Sequence, residues 1–344
     1  MGKYFNDTLI ISPEEINNYN YDYVFITNED LKIVKAALTR CRLSDSNIIC
    51  YTEFLNNIFL SPEFYINYFD FMNNEKSFEG LITGISYAQK GIKAESFKKK
   101  FFNLAAPSQD LYYDYEMIKF TLKFKELKAN LKYVIIGLCY YSFEYDLSLG
   151  IDKNRVWYYY PVTGKIHNYT LKSYMNFFYD FYNKSKKILL DNHVEIIWKT
   201  FMENHYRNII ENGSKNHFNY ESLLEDEIIK IEEEVKKTFK KNYPYTVEEN
   251  KNIFRNYLEL LGENGIKPIV VVCPQTKIFQ KFIPEKMKIE FESIIKEFKS
   301  QYDFQFIDYT YSCEFIDDDF RDYSHLNVYG AAKFAEILDK KIEW

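Results

Sequence analysis

Short apolar runs alternate along this chain with longer stretches in which apolar residues return at helical spacing. The runs predict buried strands at 80–85, 101–104, 132–137, 268–273 and 304–307. The spacing predicts helices over 110–127, 246–262, 285–299 and 328–340. Strands that alternate with helices are typical of a parallel sheet covered by helices on both faces. The pattern therefore predicts an α/β fold with a doubly wound, three-layer, flavodoxin-like parallel sheet over 79–344.

A smaller strand–helix–strand pattern precedes this domain. Strands at 23–26 and 47–51 flank a predicted helix at 30–41, which indicates a small N-terminal Rossmann-like α/β unit over 1–58. It contains no G-x-G-x-x-G sequence, so a dinucleotide-binding role has little support. Residues 59–78 are aromatic and polar and are predicted to be a helical connector.

The regular alternation of the main domain is interrupted between about 150 and 245. This stretch is charged, aromatic and helical in pattern, and it predicts a helical insertion in which substrate choice would reside as a lid over the strand ends. Alternation resumes at Thr246-Val-Glu-Glu249, whose residue types predict a capping box at the start of a helix.

Composition excludes several classes of function. The 44 Lys and Arg against 50 Asp and Glu leave a net charge of −6, which argues against nucleic acid as a partner. No stretch of about 18 residues is uniformly apolar, so no membrane span is expected, and the N-terminus does not resemble an export signal. The 5 cysteines are odd in number and lack C-x-x-C spacing, which favours reduced thiols in a cytoplasmic protein.

The segment before the last helix contains the clearest candidate chemistry. Asp322 and His325 are three residues apart in a predicted turn after the last strand. At that spacing a carboxylate can accept a hydrogen bond from the imidazole, fix its tautomer and stabilise its charged form. A turn-capping Asp322 beside an incidental His325 would have the same sequence, so this pair alone leaves both interpretations open.

A serine after the first strand of the domain supplies a possible nucleophile. Ser86 follows the strand at 80–85, where a strand gives way to a helix and where backbone N–H groups can face an oxyanion. Parallel sheets bind ligands at the carboxyl ends of their strands, so Ser86 and His325 are expected at the same edge. The pair indicates a serine nucleophile with an imidazole base.

These residues resemble the blocks of the SGNH (GDSL-like) hydrolase family. Gly84-Ile-Ser86 matches the nucleophile block, and Asn103-Leu-Ala-Ala-Pro-Ser108-Gln-Asp110 follows the second strand where the family has an Asn and then an oxyanion Gly. Ile136-Gly-Leu-Cys-Tyr-Tyr-Ser142 stands where the family has G-x-N-D. Asp322-Tyr-Ser-His325 fits the final D-x-x-H, and Leu326-Asn-Val-Tyr-Gly330 extends the match. The resemblance covers about half of the chain.

Three positions depart from the family pattern. Ile85 replaces the Asp of G-D-S, Ser108 stands at the oxyanion Gly, and the oxyanion Asn of the third block is missing. Loss of one oxyanion donor can lower a rate by about two to three orders of magnitude. The resemblance implies that Ser86, Asp322 and His325 are catalytic, and that Ser108, Gln109, Tyr141 and Ser142 bind the oxyanion or the substrate.

The resemblance implies a serine esterase that removes acyl groups from a carbohydrate or a cell-envelope glycan precursor. An O-acyltransferase with the same triad and a silent binding or scaffold protein on the same fold remain alternatives. No cofactor and no metal are expected, because His167, His193, His205 and His217 lack metal-ligand spacing. The expected partner is a small-molecule or glycan ester.

Overall fold

The computed structural model describes residues 3–5, 8–20, 24–26, 41, 48–50, 62–74, 76–169, 204–240 and 243–344. The chain divides into two compact units, Met1–Pro62 and Glu63–Trp344. The boundaries predicted at 58 and 78 stay predictions.

The first unit contains two separate pairs of short strands. Strands β1 (Lys3–Phe5) and β2 (Thr8–Ile10) pair antiparallel, which the apolar pattern did not predict. Strands β3 (Val24–Ile26) and β4 (Ile48–Cys50) pair in parallel, within the ranges predicted for them. Apart from Cys41, the helix predicted for 30–41 lies outside the described residues.

The second unit is built on a five-stranded sheet in which every pair of neighbours is parallel. Its strands are β5 (Gly80–Gly84), β6 (Phe101–Asn103), β7 (Tyr133–Leu138), β8 (Lys267–Val272) and β9 (Gln305–Asp308). The spatial order is β6-β5-β7-β8-β9, which is compatible with a flavodoxin-like fold. Both β5 and β7 are buried along their whole length, because helices cover the sheet. The predicted α/β class is confirmed.

The described helices are α1 (Pro62–Asn73), α2 (Ser86–Gly91), α3 (Leu111–Thr121), α4 (Lys125–Asn130), α5 (Val156–Thr163), α6 (Asn204–Ser214), α7 (Glu225–Thr238), α8 (Val247–Glu263), α9 (Lys277–Lys281), α10 (Glu285–Lys299) and α11 (Val328–Lys341). The single helix predicted for 110–127 is two helices, since the chain leaves helical geometry between α3 and α4. The described part of the insertion predicted at 150–245 contains α5, α6 and α7, joined by loops and 3-10 turns. Residues 170–203 and 241–242 lie outside the described residues.

The capping box predicted at Thr246 is wrong, although α8 does begin at the next residue. The Thr246 side chain makes no hydrogen bond to the helix N-terminus. Its hydroxyl donates instead to the carbonyl oxygen of Tyr243 at 2.8 Å, because Thr246 has near-helical backbone angles and closes a preceding 3-10 turn.

Helices lie on both faces of the sheet. The Thr83 hydroxyl on β5 is 3.0 Å from the hydroxyl of Tyr257 on α8. The next residue of β5, Gly84, pairs in register with Gly137 on β7. A Cβ added at Gly137 would lie 2.3 Å from the Cβ of Ala88 on α2. Since successive residues of a strand point to opposite faces, α8 and α2 cover opposite sides. Gly137 allows α2 to approach the sheet closely.

None of the described helices combines the length and apolar character that crossing a bilayer requires.

Candidate active site

A tight turn presents Ser86 at the carboxyl end of β5. Gly84 has φ of +132°, a conformation that residues with a Cβ rarely adopt, and an added Cβ there would lie 2.4 Å from the carbonyl oxygen of Gly137. The chain therefore changes direction at a glycine, passes through Ile85 and enters α2 at Ser86. Ser86 is partly exposed, while Ile85 beside it is buried.

The second part of the site is a turn between β9 and α11. An isolated antiparallel bridge joins Phe320 to Leu326, and the Arg321 backbone N–H donates to the carbonyl oxygen of His325 at 2.8 Å. Asn327 caps α11 by accepting from two backbone N–H groups, and its own amide donates to the carbonyl oxygen of Asp318 at 2.7 Å. Because both ends of the turn are fixed, the side chains within it have defined positions.

The turn brings an imidazole to Ser86. His325 Nε2 lies 2.9 Å from Ser86 Oγ, although the two residues are separated by 239 positions in sequence. His325 Nδ1 lies 3.0 Å from Asp322 Oδ1 and 3.1 Å from Asp322 Oδ2. The Tyr87 ring lies beside the imidazole, with 5.3 Å between centroids. The arrangement is a continuous hydrogen-bonded line from hydroxyl to imidazole to carboxylate, which is the geometry of a serine nucleophile with its base.

The carboxylate in this line is held ionised. Burial alone would raise the pKa of Asp322, but the hydrogen bond and charge of His325 outweigh it, together with the backbone N–H groups of Ser324 and His325. The net effect lowers the pKa of Asp322 to about 2. The Ser324 hydroxyl also donates to Asp322 Oδ1 at 3.1 Å. Asp322 is therefore negative at every pH near neutrality and can stabilise an imidazolium.

A strained turn places Ser108 opposite the nucleophile. The backbone N–H of Gln109 donates to the carbonyl oxygen of Ala106 at 3.2 Å, with Pro107 and Ser108 between them. Ser108 has φ of +60°, so this is a turn that normally has glycine at its third position. The Ser108 hydroxyl donates to Asp152 at 2.9 Å and accepts from Arg155 at 2.9 Å. These bonds hold a serine where the resembled family has glycine.

We expect Ser108→Gly and Ser108→Ala to be less stable than the wild type, and the alanine variant to be the less stable of the two by about 1 kcal/mol. Both variants lose the hydroxyl contacts, so the difference between them isolates the left-handed backbone, which glycine tolerates and alanine does not. Urea unfolding of the three proteins measures this difference. Equal stability of the two variants would contradict a left-handed Ser108.

The other residues predicted for the oxyanion or the substrate have internal partners. The Gln109 amide accepts from the Tyr159 hydroxyl at 3.0 Å. The Tyr141 hydroxyl donates to the Tyr87 hydroxyl at 3.5 Å, and Ser142 Oγ accepts from the backbone N–H of Cys139 at 2.9 Å. Gln109, Tyr141 and Ser142 line a small internal cavity, whereas Ser108 lines the cavity at Ser86. Their roles in substrate binding stay predictions.

A buried carboxyl links the nucleophile turn to the Ser108 turn. Asp114 Oδ1 accepts from the Gly84 backbone N–H at 2.8 Å and from the Gln109 amide at 2.5 Å. Burial raises the pKa of Asp114 to about 8, and the nearby Asp110 adds to this, while the two hydrogen bonds oppose it. Asp114 is therefore protonated in the folded protein at neutral pH.

We expect Asp114→Asn to stabilise the protein more at pH 9 than at pH 5. The pKa of Asp114 in the folded protein, about 8, is above its ordinary value of 3.8, so the folded state binds an extra proton between those values. Wild-type stability therefore falls as pH rises through this window, by at most about 1.4 kcal/mol per pH unit from this group. Asparagine keeps an acceptor oxygen and cannot ionise. Melting temperatures of both proteins from pH 5 to 9 test this, and a constant difference would contradict it.

The cavity that contains Ser86 has a volume of about 350 Å³. Sequence reasoning missed four of its charged residues. Lys90 follows Ser86 by four positions and Arg321 precedes Asp322 directly, so both could have been found from their neighbours. Asp152 and Arg155 come from the predicted insertion, and no pattern marked them. The lining residues are Ser86, Lys90, Pro107, Ser108, Asp152, Arg155, Arg321, Asp322 and His325.

Within the described part of the chain, one group of side chains has the residue types of a metal site. Asp110, Asp146 and His167 each offer an atom within 4.8 Å of the others. Asp110 already accepts hydrogen bonds from the backbone N–H groups of Tyr113 and Leu147, at 3.0 and 2.8 Å, so it joins α3 to the loop that follows β7. These bonds give the carboxylate a structural role without an ion. The prediction that the chain uses no metal stays a prediction.

Comparison with known proteins identifies no family. A scan against protein-family models finds no match, and a search of curated proteins finds none either. The geometry of the site and the residues that form it are therefore the basis for assigning a function.

Proposed function

We propose that this protein is a serine esterase of the SGNH type that removes acyl groups from a carbohydrate or a cell-envelope glycan precursor. The observation that carries the proposal is the hydrogen-bonded line from Ser86 through His325 to Asp322 at the carboxyl edge of the sheet. The strand order and the D-x-x-H sequence of the turn also support it, because both agree with the resembled family.

Attack on the ester begins at Ser86. Its oxygen forms a bond to the ester carbonyl carbon while His325 Nε2 takes the hydroxyl proton, with the other ring proton on Nδ1 facing Asp322. The carbonyl electron pair moves onto oxygen and gives a tetrahedral intermediate. His325 then donates its proton to the leaving alcohol, the bond from carbon to the alcohol oxygen breaks, and an acyl-Ser86 remains.

The negative oxygen of the intermediate needs hydrogen-bond donors. The Ser86 backbone N–H is at the first turn of α2, where N–H groups have no partner within the helix. The backbone N–H of Ser108, in the turn opposite, is the second donor in this mechanism. A serine in place of glycine at this position changes no donor, because only the backbone takes part.

Water completes the cycle. His325 takes a proton from water, the resulting hydroxide adds to the acyl carbon, and the second intermediate collapses with return of the proton to Ser86 Oγ. The products are a carboxylic acid and the free enzyme. An O-acyltransferase would share every step up to the acyl-Ser86 and then use a sugar hydroxyl instead of water.

A fluorophosphonate probe tests the proposal directly, because such probes phosphonylate a serine only when a base activates it. We expect a mass increase of one adduct on the folded protein, located on the peptide that contains Ser86, and Ser86-dependent hydrolysis of p-nitrophenyl acetate. Heat-denatured protein and Ser86→Ala are the controls. A folded protein that reacts with neither compound would overturn the proposal in favour of a silent scaffold.

A further inference from the structure

The cavity at Ser86 is richer in positive charge than the chain as a whole. The full sequence has a net charge of −6, yet this cavity is lined by Lys90, Arg155 and Arg321 against two carboxylates. We propose that the alcohol part of the substrate ester has an anionic group, a carboxylate or a phosphate, which Lys90 and Arg321 bind. This inference rests on the proposed esterase function and names the substrate class of the same site.

The three cations are not equivalent. Arg155 is neutralised locally, because its guanidinium lies 3.3 Å from Asp152 and also donates to Ser108. The guanidinium of Arg321 lies 3.8 Å from Asp322, whose oxygens already accept from His325 and from backbone N–H groups. The charge of Arg321 is therefore only partly offset within the turn. Its side chain is about a quarter exposed, so a ligand can reach it.

Position relative to the triad indicates which part of the ester the anion belongs to. During acyl transfer the histidine protonates the leaving alcohol, so the alcohol lies on the His325 side of Ser86. Arg321 belongs to the same turn as His325, and Lys90 follows Ser86 by one turn of α2. Arg155 lies instead on the side of Ser108, where the oxyanion is expected. Lys90 and Arg321 thus face the alcohol.

A second cavity is adjacent to this side of the site. It also has a volume of about 350 Å³, and Lys90 and Arg321 line both cavities. Its carboxylates are Asp70, which is paired with Arg207 at 2.5 Å, and Glu95, which is exposed to solvent. The rest of the alcohol would extend into this second cavity, with its anionic group between the shared cations. Guanidinium and ammonium groups are the usual protein partners of carboxylates and phosphates.

Matched esters test the charge of the alcohol. The probes are methyl 3-acetoxybenzoate, which is neutral, 3-acetoxybenzoate and 3-acetoxyphenyl phosphate. The readout is the ratio of kcat/KM for each anionic ester to that for the neutral ester. Each variant is compared with the wild type for the same ratio, so the intrinsic reactivity of each ester cancels. The two anionic probes distinguish a carboxylate from a phosphate.

We expect Lys90→Gln and Arg321→Gln each to lower this ratio by about 10- to 100-fold, since each removes a charged hydrogen-bonding partner. Lys286→Gln changes the net charge by the same amount outside both cavities and is expected to leave the ratio unchanged. Unchanged ratios in the Lys90 and Arg321 variants, with Ser86-dependent turnover of the neutral ester, would overturn the anion proposal and leave the esterase proposal standing. Absence of Ser86-dependent turnover for every ester would overturn both.

Discussion

Replacing Ser86 with alanine is expected to lower kcat for p-nitrophenyl acetate by at least about 10³-fold, and the fluorophosphonate adduct is expected to disappear. Ser86 Oγ is the atom 2.9 Å from His325 Nε2, and no covalent acyl intermediate can form without it. Ester hydrolysis is measured by release of p-nitrophenolate, with the thermal transition of each protein as a check on folding.

His325→Ala and Ser300→Ala complete this experiment. His325→Ala removes the base, and because members of a triad act as a unit, the double variant with Ser86→Ala is expected to be no slower than either single variant. Ser300→Ala removes an exposed hydroxyl that donates only to the carbonyl oxygen of Glu297 within its own helix end, so it is expected to retain wild-type activity. Equal rates of ester hydrolysis for the wild type and Ser86→Ala would show that Ser86 is not the nucleophile.

Asp322→Asn is expected to lower kcat by about 10³- to 10⁴-fold while the protein stays folded. Asp322 Oδ1 accepts from the backbone N–H groups of Ser324 and His325, and asparagine can keep an oxygen at that position. Its amide nitrogen would then replace Oδ2 and donate to His325 Nδ1, which forces the ring proton onto Nε2. That tautomer cannot accept the proton of Ser86.

Comparison with Asp322→Ala separates catalysis from folding. Alanine removes both the charge and the acceptor of the turn, so we expect it to lower the melting temperature more than asparagine does, with a similar loss of kcat. Because the pKa of Asp322 is about 2, the wild-type carboxylate is ionised from pH 5 to 9. The loss of kcat in Asp322→Asn is therefore expected throughout that range. Near wild-type turnover by the asparagine variant would make Asp322 a cap of the turn and no more.

Elements with a strong local signal were predictable. The strands at Tyr133–Leu138 and Lys267–Val272 contain continuous apolar runs, since both faces of a parallel sheet are covered, and the predicted ranges differ from these by about one residue. The antiparallel pair β1–β2 was missed, because each strand has only three residues and gives no readable period. The prediction of a capping box at Thr246 was wrong because residue types alone do not determine backbone angles.

The candidate site was predictable in part. Asp322 and His325 are close in sequence, so their contact follows from a turn. Ser86 was a clear candidate nucleophile only in combination with His325, which lies near the far end of the chain. The sequence supported that combination only through the expectation that strand ends meet at one edge of a parallel sheet. Arg155 gave no signal at all, because its role comes from a contact with Ser108, 47 residues earlier in the chain.

The sequence by itself determined the α/β class, the places of the five strands and the residues proposed for acyl chemistry, because periodicity and residue type act over a few neighbouring positions. Only the tertiary structure decided that Ser86 and His325 meet within 2.9 Å and that Lys90 and Arg321 line two cavities at once. It also decided that Ser108 adopts a left-handed backbone held by a distant arginine. These features depend on which distant segments pack together, and packing is a property of the whole folded chain.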